Sequence, residues 1–151
     1  MNNTMKNLYM EQAIIEARKA FDLGEVPVGA IIVHKGNIIA RAHNLRENSS
    51  NALAHAEILA IDEACKKLNS WRLDNCELYV TLEPCPMCAG AIINSRISTV
   101  YFGAYDSKGG ACGSVVDLFA KGSFNHSPTL YSGIMEEACE EVLKEFFRTL
   151  R

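Results

Sequence analysis

The chain has 151 residues, enough for one domain that buries a substantial core without a disulfide framework. Hydrophobic residues make up 48% and charged residues 22%, which counts against long disorder, a collagen repeat or a coiled-coil rod. Fifteen Lys/Arg against eighteen Asp/Glu leave a net charge of −3, which argues against a generic basic nucleic-acid coat.

Met10, Ala13, Ile14, Ala17 and Phe21 recur at helical spacing and predict an amphipathic helix, with Gly24 as its stop and Pro27 just beyond. Ala30–Val33 and Ile38–Ala42 are short β-branched-rich runs around His34, Lys35, Gly36 and Asn37, the pattern of a hairpin. Ser49, Ser50 and Asn51 are expected to cap a second helix running to about Leu68, with Ala54, Ile58, Ile61 and Ala64 on one stripe. Leu78–Leu82 reads as a third strand. Pro84 and Pro86 follow, and Pro86 suits the first turn of a helix ending near Asn94. Thr99–Phe102 is a fourth strand, followed by a loop through Lys108, Gly109, Gly110 and Gly113. Ser114–Ala120 is expected as a short helix and Thr129–Tyr131 as a fifth strand. A last helix from about Ile134 carries Met135, Ala138, Val142 and Phe146 inward. Helices alternating with strands after an opening hairpin imply a layered α/β domain with a partly parallel sheet. No repeat or linker divides it.

Met1–Gln12 lacks the apolar core of a signal peptide, and no run approaches the ~18 apolar residues that cross a bilayer. No membrane partner is expected. The expected location is the cytoplasm, where the six cysteines stay reduced. Cys65 and Cys139 fall on apolar helix stripes, and burial is expected for Cys76 and Cys112 as well. His34 is expected to be solvated, His43 to be structural, and Trp71 to pack.

Cys85 and Cys88 form a C-x-x-C pair, and His55-Ala56-Glu57 lies some thirty residues earlier. Two thiolates and an imidazole suit zinc, and a catalytic zinc keeps three protein ligands so that water takes the fourth position. Helix N-termini favour the thiolate. Glu57, two residues from the ligand His55, can take a proton from that water and return it to a substrate nitrogen. H-x-E…P-C-x-x-C is the signature of zinc deaminases. A redox C-x-x-C pair is an alternative, though it needs no His-x-Glu. A structural zinc site is another, with Cys112, His126 or Cys139 as a fourth ligand.

These residues, and most of the chain, resemble the bacterial tRNA-specific adenosine deaminases of the cytidine-deaminase-like superfamily. The likeness includes Gly24-Glu25-Val26-Pro27-Val28-Gly29-Ala30, His43-Asn44 and Val100-Tyr101-Phe102-Gly103-Ala104. It continues through Lys108-Gly109-Gly110, Asn125-His126 and Phe146-Phe147-Arg148, with Arg151 last. The zinc signature alone would admit cytosine, guanine and dCMP deaminases. The added segments point to the tRNA branch.

The resemblance implies a three-layer α/β/α fold with a central mixed five-stranded sheet, one CMP/dCMP-type deaminase domain over residues 1–151. It implies hydrolysis of adenosine to inosine at the wobble position of a tRNA, an arginine tRNA being the expected one. Zn²⁺ would be held by His55, Cys85 and Cys88, with Glu57 as proton shuttle. Asn44, Val28, Ala56, Glu83 and Pro84 would border the base. A homodimer would grip the anticodon arm, with Lys108, Phe147, Arg148 and Arg151 on the RNA. Each of these four has a plainer reading: Lys108 as a solvated loop charge, Phe147 on a buried stripe with Leu143 and Leu150, and the two arginines as helix-end charges. One stretch departs from the family. Ser50-Asn51-Ala52-Leu53-Ala54 stands where an Asp, a small residue or Pro, and Thr are usual, so RNA contacts there do not carry over.

Overall fold

A computed structural model describes residues 3–150. The elements in chain order are α1 (Asn3–Asp22), β1 (Gly29–His34), β2 (Asn37–His43), α2 (Ala56–Leu68), β3 (Cys76–Leu82), α3 (Pro86–Ser95), β4 (Thr99–Ala104), β5 (Thr129–Tyr131) and α4 (Glu136–Thr149). The sheet order is β2-β1-β3-β4-β5. β1 is antiparallel to both β2 and β3, while β3, β4 and β5 run parallel, so the sheet is mixed.

Alternation along the strands divides the core in two. Leu78, Val80 and Phe102 face Ala60, Ala64, Ile92 and Ile93 of α2 and α3. Ile31, Val33, Tyr79 and Tyr101 face Met10, Ala13 and Cys139 of α1 and α4. The result is a three-layer α/β/α fold, each layer held by apolar area removed from water. Tyr79 and Tyr101 stack across neighbouring strands at 4.2 Å, and Tyr131 continues the row at 5.1 Å.

Local chemistry explains the junctions. Gly24, at φ +77°, ends α1. Lys35 and Gly36 both take positive φ, the geometry of a two-residue hairpin turn. At Gly29 a Cβ would overlap the Ala13 carbonyl and the Ala17 amide, so only glycine lets β1 enter this close to α1.

Two expected elements differ. Ser49, Ser50 and Asn51 do not cap α2, which begins at Ala56. Residues 45–51 fold on themselves instead: Ser49 donates to the Leu45 carbonyl, the Asn51 amide to the Arg46 carbonyl and the Leu53 amide to Asn51 Oδ1. The cap comes from outside the helix, where Asn44 Oδ1 accepts the Ala56 amide at 2.8 Å. Ser114–Ala120 is not a helix but a set of turns around a Cys112–Asp117 bridge. The Cys112 and Ser114 amides are committed to the Glu83 carboxylate, and Gly113 at φ +133° breaks helical geometry. Trp71 is also not packed away: it is 61% exposed, with the Arg72 and Arg96 guanidiniums 5.4 and 6.0 Å from its ring.

His43 has a defined structural partner in Glu16. The Glu16 side chain, 3% exposed, accepts from Lys19 at 2.7 Å, Arg41 at 2.8 Å and His43 at 2.9 Å, tying α1 to β2. Burial opposes the charge, yet these donors hold the carboxyl at about 2 against an ordinary 4.5. A folded-state value below the unfolded one gives stabilisation that is complete above 4.5 and lost as pH falls toward 2. Glu16→Gln is therefore expected to lose on the order of 2 kcal/mol at neutral pH, and less at pH 3. Urea midpoints at the two pH values check this, and an equal loss at both would contradict it.

Candidate active site

The N-termini of α2 and α3 meet at the C-terminal end of β3. His55 is the N-cap of α2 and Cys85 the N-cap of α3, with Pro86 opening the helix. Cys88, one turn on, faces the same point. His55 Nδ1 lies 3.6 Å from Cys85 Sγ and 3.5 Å from Cys88 Sγ. All three ligand atoms lie within 4.8 Å of one another.

The donor set fits zinc. Tetrahedral bonds of zinc to nitrogen and sulfur place those two atoms about 3.6 Å apart, which matches both contacts. Electrostatics agree. The Cys88 thiol, and then His55, hold the Cys85 thiolate down at about 4. Cys88, facing that thiolate and buried, is pushed up, so the pair retains a proton that a divalent cation would displace. His55 is raised by its bond to Cys85. Among the described residues the cluster holds no fourth ligand: His126 bonds the Ile97 carbonyl at 2.7 Å, Cys112 sits in the loop around Glu83, and Cys139 lies in the other face's core.

A cleft of about 430 Å³ opens over this cluster, a volume suited to a base and its sugar. Val26, Val28 and Leu82 give it apolar wall, Phe146 of α4 and Leu150 just after that helix reach it, and Glu57 and Asn44 line it. Glu57, in the first turn of α2, is 4% exposed. Burial, reinforced by the Cys85 thiolate, pushes its carboxyl up to about 7, within reach of proton exchange at neutral pH. The Asn44 amide donates to the Val26 carbonyl at 3.1 Å and accepts from Ala56, leaving one N–H and one lone pair.

The structure thus brings together His55, Cys85, Cys88, Glu57, Asn44, Val28 and Glu83. Ala56 and Pro84 flank them through the main chain, the Pro84 carbonyl accepting the Ala111 amide at 2.8 Å. Lys108, Phe147 and Arg148 are exposed and do not line the cleft; Arg148 pairs with Glu141 at 3.2 Å. Phe147 is 49% and Leu150 67% exposed, so the stripe they share is not a buried face. Arg151 lies outside the described residues.

Sequence reading did not assign a role to Glu25, another buried acid. Glu25, 2% exposed, accepts the Glu47 amide, the Asn48 amide and the Asn48 side chain at 3.1, 2.7 and 2.6 Å. It binds the start of the β2–α2 loop to the turn after α1. The one signal was an acid standing just before the apolar Val26-Pro27-Val28 run.

The family described as MafB19-like deaminase matches residues 4–151. The tRNA-specific adenosine deaminase of Bacillus subtilis is 56% identical over 148 residues, covering 98% of this chain and 92% of that protein. A solved structure from studies of A-to-I editing by tRNA:A34 deaminases at the wobble position is 46% identical. It superposes with a TM-score of 0.87 over 90% of this chain and 99% of that one. The guanine deaminase of B. subtilis is 34% identical with a TM-score of 0.65, over 87% and 85% of the two chains.

Proposed function

The chain belongs to the MafB19-like deaminases and to the tRNA-specific adenosine deaminases, and from that membership we propose that it converts adenosine to inosine at the wobble position of an arginine tRNA. The observation that carries the reading is the convergence of His55, Cys85 and Cys88, a donor set able to hold one metal ion, at a base-sized cleft with a buried carboxylic acid beside it.

His55, Cys85 and Cys88 are the residues to hold zinc, which when bound supplies Lewis-acid activation of water. The chain's own part is positioning and proton transfer. Water adds at C6 of the purine, the C6–NH₂ bond breaks, and inosine and ammonia leave. Glu57 takes one proton from water and gives it to the ring nitrogen, then takes the remaining hydroxyl proton and gives it to the amine, which leaves as ammonia as the C6 carbonyl forms. Asn44 offers its remaining N–H and lone pair to the base, while Val28 and the main chain at Ala56, Glu83 and Pro84 border it. A base must leave its stack to enter such a cleft, and an anticodon loop, already unpaired, lowers that cost.

Lys108, Phe147 and Arg148, outside the cleft, belong to the proposal as contacts to the anticodon arm, and so does Arg151. A homodimer, a cytoplasmic location and a single deaminase domain over 1–151 complete it. Among the described residues no helix is long and apolar enough to cross a membrane.

The test incubates purified protein with an anticodon stem-loop carrying adenosine at the wobble position, with free guanine and cytosine in parallel. Mass spectrometry is expected to find inosine in the stem-loop. No inosine, with rapid turnover of a free base, would place the chain with the free-base deaminases that share its fold.

A further inference from the structure

Glu83 follows β3 directly and precedes the Pro84-Cys85 corner, yet its carboxylate is bound by the loop after β4 and is not among the three converging ligand atoms. It is 2% exposed and sits inside the loop after β4. It accepts the main-chain amides of Asp106, Cys112 and Ser114, each at 3.1 Å, and the Ser114 hydroxyl. Burial opposes its charge, but the donors hold its carboxyl below the ordinary range. The loop has little regular structure of its own to hold it. Its shape comes from amides converging on one anion, and from Asp106, whose Oδ1 accepts the Lys108 and Gly109 amides at 3.1 and 3.0 Å. Gly110 completes the fit, because a Cβ there would overlap the Glu83 carboxylate. Asp106 lines the cleft, so whatever fixes this loop also fixes one wall of the site.

We propose that the Glu83 carboxylate is a positioning residue for RNA binding, holding the 106–114 loop preformed as the wall on which the nucleotides around the target base are seated. It acts through the loop and takes no part in proton transfer. This rests on the tRNA deaminase reading for its substrate, but the clasp itself has a readout that needs no substrate.

That readout is hydrogen–deuterium exchange at the Asp106, Cys112 and Ser114 amides of the zinc-loaded protein. Glu83→Gln turns an N–H₂ group toward these donors, and exchange at the three amides is expected to rise at least about tenfold. The KM for the wobble stem-loop is expected to rise about tenfold with it, the size of effect that goes with a lost charge-assisted clasp. Gly110→Ala displaces the carboxylate while leaving Glu83 and its main chain intact. It is expected to raise KM about five- to tenfold with kcat within about twofold and zinc content unchanged. Ser114→Ala leaves the three main-chain donors in place and is expected to raise KM no more than about threefold. Exchange unchanged in both Glu83→Gln and Gly110→Ala would overturn the proposal. So would a fall in the kcat of Gly110→Ala at unchanged KM. A wild-type protein that fails to deaminate the stem-loop would overturn the functional reading, with the exchange result still deciding the clasp.

Discussion

Glu57→Ala is expected to bind one zinc per chain and to lose deamination of the wobble stem-loop by about a thousandfold or more, the upper range of what a positioned acid–base group contributes. The two halves of this result have separate causes. Glu57 is not among the three residues whose ligand atoms converge, so removing its carboxylate leaves the donor set intact. Alanine is also a good helix former, so the first turn of α2 is retained. The proton route, in contrast, has no evident substitute. Of the other acids among the described residues lining the cleft, Glu25, Glu83 and Asp106 each accept main-chain amides of a loop, and Glu47 is exposed to solvent. Metal analysis and single-turnover kinetics on one preparation check both halves. A Glu57→Ala protein that still deaminates would remove Glu57 from its role.

His55→Ala is expected to lose the metal and, with it, both activity and stability. Two sulfurs on one helix start cannot complete a three-ligand site, and the missing imidazole is the only nitrogen donor in the cluster. A ligand that binds only the folded chain stabilises by mass action, about 4 kcal/mol at a thousandfold excess over its dissociation constant. Zinc addition is therefore expected to raise the thermal midpoint of the wild type but not of His55→Ala. A variant that keeps stoichiometric zinc would show the ligand assignment to be wrong.

What could be read from the sequence, and what could not, divides by range. The apolar stripe from Met10 to Phe21 and the Lys35-Gly36 turn follow from residues a few positions apart, and the structure has both. The convergence of His55 with Cys85 and Cys88 was also readable, because one histidine and a C-x-x-C pair share one metal-binding chemistry. The start of α2 was not. Its cap is Asn44, twelve residues before the amide it accepts, while Ser49 and Asn51 offer nearer and apparently better candidates. The Ser114–Ala120 turns were hidden for the same reason, since Glu83 takes the Ser114 amide from 31 residues away and the Cys112 amide just before them from 29. Burying an acid depends on donors that only the fold assembles. Nothing local distinguishes Glu16 or Glu83 from the solvated acids of α4, and Glu25 offers only the apolar run that follows it.

Trp71 carries one more consequence. It is the chain's single tryptophan, and it lies beyond the C-terminal end of α2, whereas His55 and Glu57 lie at the other end. The 13 residues of that helix put the indole roughly 20 Å from the metal cluster. Tryptophan fluorescence, excited beyond the absorption of the five tyrosines, is therefore the emission of one water-exposed indole at that corner of the molecule. A base entering the cleft is optically silent to it. A change in emission when RNA is added would report a contact at that corner instead.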